Sequence, residues 1–213
     1  LFRSGRRIII FGGQNLDDRS QTDKILSYNP GTEKIEELKA TLPYPSSDFP
    51  AVWSGDLAYL FLRDGVYTFD TINETLTNHN VNYPQGFSLK DNGRSGVWVQ
   101  EKILFFYNST ILEFDLDDFS FNELDTELPT ESPSTHRASV YTRGHVYIIG
   151  GKNPEGAVDE IIKYDPEEDE AELDDTKLSE DIAGCNVVSD GVFIYIYGGF
   201  RDNDTSGHYS QNV

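Results

Sequence analysis

A unit of roughly 45 residues recurs along this chain, and a repeat of that length restricts the fold to stacked or radial supersecondary units. Its clearest copies read Gly144-His145-Val146-Tyr147-Ile148-Ile149-Gly150-Gly151 and Gly191-Val192-Phe193-Ile194-Tyr195-Ile196-Tyr197-Gly198-Gly199, with a third at Arg7-Ile8-Ile9-Ile10-Phe11-Gly12-Gly13. Each is a short apolar run ending in two glycines. Two degenerate copies lie between them: Ala58-Tyr59-Leu60-Phe61 runs into Leu62-Arg63, and Ile103-Leu104-Phe105-Phe106 into Tyr107-Asn108. The first member of each pair stands at 12, 62, 107, 150 and 198, so the spacing is 43 to 50 residues. A second landmark keeps the same register as Tyr28-Asn29, Phe69-Asp70, Phe114-Asp115 and Tyr164-Asp165. Seven residues past each aromatic stand Ile35, Leu76, Phe121 and Ala171.

Each unit reads as four strands. One precedes a tight turn, one ends at the glycines, one ends at the aromatic-acid pair, and a short one lies outermost. The second strands are apolar on both faces, which is expected when neighbouring sheets cover each side. Small twisted sheets of this kind bury both faces only by stacking radially. The expected fold is therefore all-β, with four-stranded antiparallel blades. The repeats divide a single region, 1–213, at about 1–42, 43–88, 89–132, 133–180 and 181–213. The first copy is expected to lack its first strand and the fifth to stop after two, for 17 strands in all. Where the glycines are lost, the link to the third strand shortens, and Asp64-Gly65 and Asn108-Ser109 are expected to close tight hairpins.

This pattern resembles the kelch repeat. The matching residues are the glycine pairs Gly12-Gly13, Gly150-Gly151 and Gly198-Gly199, the aromatic-acid pairs, Tyr147 and Tyr195. Arg94 and Arg137 match too, each 13 residues ahead of its glycine-pair position. The resemblance implies a kelch-type β-propeller. Such propellers close with six or seven blades, so it further implies an incomplete, open propeller here rather than a five-bladed ring. The family's usual Trp is replaced by Ile35, Leu76, Phe121 and Ala171. The other propeller family, WD40, wants a Trp-Asp dipeptide, and Trp53-Ser54 and Trp98-Val99 disfavour it.

Composition bears on partners. The chain has 37 Asp and Glu against 17 Lys and Arg, a formal charge of −20. That field repels phosphate backbones and anionic lipid, which argues against nucleic acid and membrane as partners. No apolar run approaches the length needed to span a bilayer. Seven carboxylates fall between Glu167 and Asp175, read as a solvated turn on the outer rim. The single cysteine, Cys185, leaves no internal disulfide and reads as a buried structural thiol. It leans the localisation towards the cytoplasm, with an extracellular one still open. The start at Leu1, without Met, suggests a piece of a longer chain.

Chemistry-bearing motifs are sparse. Asp202-Asn203-Asp204-Thr205-Ser206-Gly207 begins like a calcium loop, but position twelve is Val213 rather than Glu. His79, His136, His145 and His208 are scattered without metal-ligand spacing. Nucleotide and nucleophile-elbow fingerprints are missing. The expectation is no cofactor, no metal and no enzyme. Asn73, Asn108 and Asn203 head glycosylation sequons that matter only in a secreted chain. The resemblance implies a binding module whose loops on one face take a protein or peptide ligand. Family contacts lie just after the glycines and at the entry to the first strand. Here those positions are Gln14, Asn15, Lys152, Asn153 and Arg201, with Arg94, His136 and Arg137. They would form a cationic patch on an acidic body, unless Arg94 and Arg137 are structural and pair with neighbouring carboxylates. The competing classes are a galactose-oxidase-like or sugar-modifying enzyme and an extracellular glycoprotein interaction domain.

Overall fold

The double glycines at 12–13 and 150–151 end apolar strands at points where the chain leading into the next sheet passes close by. A computed structural model describes residues 2–4 (backbone only), 7–87, 96–129 and 135–201. The chain divides into two compact units, Leu1–Gln85 and Gly86–Val213. All regular elements among the described residues are β-strands, and every pairing is antiparallel.

The first unit holds two four-stranded sheets: β1 (Phe2–Ser4), β2 (Arg7–Phe11), β3 (Lys24–Asn29) and β4 (Lys34–Thr41), then β5 (Ala51–Trp53), β6 (Leu57–Leu62), β7 (Gly65–Asp70) and β8 (Thr75–Asn78). Their facing sides make one core: Ile9, Ile25, Leu38 and Leu42 pack with Ala58, Leu60, Leu62, Tyr67 and Phe69. The Phe11 and Phe69 rings meet edge to face at 5.3 Å.

The second unit begins with β9 (Gly96–Val99), β10 (Lys102–Tyr107), β11 (Thr110–Asp115) and β12 (Ser120–Glu127). It continues with β13 (Ala138–Thr142), β14 (His145–Ile149), β15 (Lys152–Asn153), β16 (Gly156–Ala157), β17 (Ile161–Asp165) and β18 (Glu170–Leu173). A two-stranded sheet of β19 (Asn186–Ser189) and β20 (Ile194–Tyr197) follows. The alternating side chains of β14 serve two cores at once. Val146 and Ile148 join Val97, Leu104 and Phe106 of the preceding sheet, while Tyr147 and Ile149 meet Val187, Ile194 and Ile196 of the following one. The two-faced apolar second strand is thus explained by neighbours on both sides. Arg143, in the β13–β14 turn, also donates from Nε and Nη2 to the carbonyls of Gly191 and Val192 at 2.9 and 2.7 Å.

The aromatic-acid landmark has a local cause. The side-chain Oδ1 of Asn29, Asp70, Asp115 and Asp165 accepts the backbone N–H of the second residue beyond, at 2.9, 2.7, 2.8 and 2.9 Å. Each four-residue loop then ends on a left-handed residue: Glu33, Glu74, Phe119 and Asp169, with φ of 53 to 55°. The register returns the aromatic opposite the residue seven further on: Tyr28–Ile35, Phe69–Leu76, Phe114–Phe121 and Tyr164–Ala171. The sequence spacing is therefore a hairpin measured along the chain.

Three expectations are corrected. Phe2–Ser4 pairs with β2, so the first copy has its first strand. The connection after Gly151 contains the small β15–β16 pair, so the described sheets hold 20 strands rather than 17. In the second copy the hairpin exists, but Leu62 pairs with Gly65 and the turn is Arg63-Asp64, one residue earlier than expected. The turn at Asn108-Ser109 lies where expected, with Tyr107 opposite Thr110.

Candidate functional site

At Gly12 and Gly150 φ is +56° and +61°, and a Cβ would lie 2.3 Å from the carbonyl oxygen of Ser46 or Ile182. The next glycine in each pair donates its N–H to that same carbonyl, at 2.8 Å for Gly13 and 2.9 Å for Gly151. Only a residue without Cβ lets the entry segment of the next sheet come this close. The glycine pair therefore positions both the loop that follows it and the segment entering the next sheet. These are the two places to which the kelch resemblance assigns candidate contacts.

In the first unit the loop after Gly13 is tightly bonded. Gln14 and Gln21 bridge it, and Asn15 N–H donates to Ser20 O at 2.8 Å. The side chains named from sequence brace this loop from within. Gln14 Nε2 donates to Arg19 O at 3.0 Å, and Asn15 Oδ1 accepts Asp17 N–H at 2.9 Å.

In the second unit His136, Lys152 and an unanticipated residue, Phe200, come together. Thr135 and Lys152 exchange both backbone hydrogen bonds, at 2.8 and 2.7 Å, as Ala183 and Phe200 do at 3.0 and 2.9 Å. Lys152 Nζ sits 5.9 Å from the Phe200 ring centre, and the His136 ring meets Phe200 edge-on at 6.0 Å. His136 is left-handed, with φ +57°, and its Nδ1 shares a 2.8 Å hydrogen bond with Thr135 Oγ1. The signal for Phe200 was present, since it follows Gly199 as Lys152 follows Gly151 and Gln14 follows Gly13.

The other residues play different parts. Asn153 Oδ1 caps the β15–β16 turn, accepting N–H from Glu155 and Gly156 at 2.9 and 3.0 Å. Arg201 is exposed and ion-paired with Glu180. Arg94 and Asn203 lie outside the described residues, as does the segment 202–207. Asn73 is exposed on the β7–β8 turn; Asn108 is half-buried and its carbonyl accepts Arg137 Nη1 at 3.3 Å.

Arg137 departs from the patch reading: its side chain is only 1% exposed, so it adds no charge to the surface. Its Nη2 lies 3.7 Å from Glu160 Oε2, and neither Nε nor Nη2 has a hydrogen-bond partner among the described residues. Burial pulls the guanidinium down to about 10, with Glu160 opposing, so the group stays charged at neutral pH. Its stem fits because Gly151 has no side chain; a Cβ there would be 2.7 Å from Arg137 Cγ. Cys185 occupies the equivalent position in the next copy and is buried. Desolvation raises its thiol to about 11, which disfavours the reactive thiolate.

No group of three His, Cys, Asp or Glu among the described residues could hold a metal ion. No helix among them is long and apolar enough to cross a membrane.

A family model described as Kelch motif matches residues 133–170. The chain is 33% identical over 207 residues to a Kelch domain-containing protein of Archaeoglobus fulgidus, a match covering 92% of this chain and 60% of that one. It is 26% identical over 151 residues to a Kelch domain-containing protein of Pyrococcus furiosus, covering 68% and 46%. The chain thus spans about half to three fifths of the length of these relatives. The solved structure of YjhT superposes with a TM-score of 0.75 over 94% of this chain and 76% of that one, at 11% identity, a likeness of fold. The repeat landmarks, the blade-like sheets and these matches agree on kelch repeats of the β-propeller type.

Proposed function

We propose that this chain is a protein-binding module, an interaction platform or substrate adaptor that receives a protein or peptide ligand on the loops at the glycine ends of its sheets. The observation that carries this reading is how those loops are held. Glycine N–H groups tie them to the entry of the next sheet, at Gly13–Ser46 in one unit and Gly151–Ile182 in the other. Loops fixed on a rigid sheet present contacts with little ordering left to be done on binding. In the second unit the surface so presented is Lys152 and His136 around Phe200, an aromatic flanked by basic groups. Such a combination is suited to peptide recognition.

We read the chain as non-enzymatic, and the buried, poorly ionised Cys185 thiol supports that over a cysteine-dependent chemistry. The test is selection from a random peptide library on the folded chain, followed by binding of one selected peptide to variants. Lys152→Glu is expected to weaken that peptide at least severalfold while charge reversal at Lys34, on a β4 strand end, leaves it unchanged. Selection that enriches nothing, or peptides indifferent to Lys152→Glu, would overturn the assignment of this face. Stoichiometric copper in purified protein would point to the competing oxidase class.

A further inference from the structure

The loop after Gly13 carries a side chain that no repeat landmark marks out. Leu16 is 83% exposed at its tip, between Asn15 and the exposed Asp17 and Asp18. Single apolar residues on a surface need no explanation in themselves. This one stands on a braced loop at the glycine end of the sheets. The bonds already described fix Gln14 and Asn15, Arg19 N–H donates back to Asn15 O at 3.0 Å, and Asp18 Oδ1 accepts both N–H and Oγ–H of Ser20 at 2.9 and 2.6 Å. Thr22 N–H closes on Gly13 O at 3.1 Å, and Gln21 Nε2 reaches Ser47 Oγ at 2.8 Å. Gln14, Asn15, Asp18 and Gln21 use their side chains to hold the loop, and Leu16 is the apolar group it offers.

We propose that Leu16 is the contact residue of this loop: an apolar knob for a protein partner that offers an apolar socket with a cationic rim. The inference rests on the binding-module reading and adds the chemistry of the partner to it. An apolar side chain on a prefixed loop keeps the gain from its burial, because little conformational freedom remains to be lost. The rim follows from charge: Asp17 and Asp18 outweigh Arg19 around the knob, and like charges opposite them would be excluded. Ile72, also 83% exposed but on the β7–β8 turn at the other end of the sheets in this unit, is the built-in control.

The experiment places a photo-crosslinking amino acid at position 16, 72 or 152 of the full chain, expressed in its own host cells, and maps the adducts by mass spectrometry. Adducts at 16 are expected to exceed those at 72 at least tenfold and to fall on apolar residues within a few positions of Lys or Arg. Asp17→Lys, at a side chain that takes no part in the bonds bracing the loop, should cut capture at 16 severalfold without changing the melting temperature. Capture at 16 no better than at 72, or unaffected by the charge reversal, overturns the proposal. Capture through 152 with none at 16 removes Leu16 and leaves the binding module standing; no capture at either position removes both.

Discussion

At the scale of single residues, the glycine pair works as a steric gap more than as a flexible joint. Gly150 combines a left-handed φ of +61° with a carbonyl 2.3 Å from where Cβ would sit, and that oxygen belongs to backbone that is itself hydrogen-bonded. Gly144, in the β13–β14 turn, has φ +82° and open space around its missing Cβ. Gly144→Ala meets conformational strain alone and should cost about 1 kcal/mol. Gly150→Ala adds a displaced entry segment and should cost about 3 kcal/mol or more, in the range of steric core lesions. Urea unfolding of the two variants checks the order, and equal losses would mean that conformation rather than close approach selects the glycine. Cys185 yields a second expectation. With its thiol raised to about 11 by burial, it should resist iodoacetamide at pH 8 in the folded chain and react at an ordinary rate in denaturant. Rapid labelling without denaturant would show that the segment ahead of β19 opens readily.

At the scale of elements, the regularly spaced Asp or Asn that ends each third strand is a turn clamp, and where it is Asp it makes stability depend on acid. Asp70 and Asp165 lie below their ordinary 3.8, chiefly because backbone N–H groups of Asn73 and Glu167 respectively bond the carboxylate; Asp190, in the β19–β20 turn, is lowered likewise by Phe193 N–H. A carboxyl whose folded value is depressed favours folding above its unfolded value and loses that contribution as pH falls through the folded one. The window therefore opens near pH 4 and extends below it. Replacing all three, Asp70→Asn, Asp165→Asn and Asp190→Asn, keeps an acceptor at each turn but removes the titration, so the fall in urea midpoint between about pH 4 and pH 2.5 should flatten. An unchanged slope would place acid sensitivity elsewhere. These clamps were legible in the sequence because an Asp or Asn side chain does the bonding at a fixed place in a hairpin. The second strands were legible too, since burial on both faces leaves β14 no polar position between Val146 and Ile149. What escaped was too short to show a pattern, or turned on burial that the sequence does not display. Three residues, Phe2–Ser4, are too few to show a strand pattern until β2 is there to pair with them. The β15–β16 pair has only two residues a side, within a run that otherwise reads as loop. Arg137 stayed open between a surface cation and a structural partner of a carboxylate, because charge is visible in sequence and burial is not. Leu16 escaped notice for the reverse reason: nothing local says that Gln14 and Asn15 turn their side chains into the loop.

At the scale of the whole molecule, charge governs how stability responds to conditions. Exposed pairs such as Lys24–Glu37 at 2.6 Å and Lys177–Asp159 at 3.0 Å attract. Each such exposed pair contributes only about 0–1 kcal/mol, and salt weakens it. Opposing them, 37 carboxylates face 17 lysines and arginines. Even with every cation matched, most of the acidic surplus has only like charge nearby. The run from Glu167 to Asp175 concentrates it: Glu170 and Glu172 are exposed on β18, and of these two only Glu172 has a lysine on it among the described residues, Lys163 at 3.2 Å. Salt therefore screens more repulsion than attraction here. Raising NaCl from about 10 to 200 mM shortens the screening length from about 30 Å to below 10 Å, which removes most interactions between charges farther apart than near neighbours. The melting temperature should rise by several degrees over that range at pH 7, and KCl should act equally, as expected for screening rather than for a bound ion. In Lys variants that neutralise part of the run, Glu168→Lys and Asp175→Lys, the melting temperature in low salt should be higher and the rise with salt smaller. A melting temperature that falls with salt would mean that the few cations are placed so well that pairwise attraction outweighs the net field.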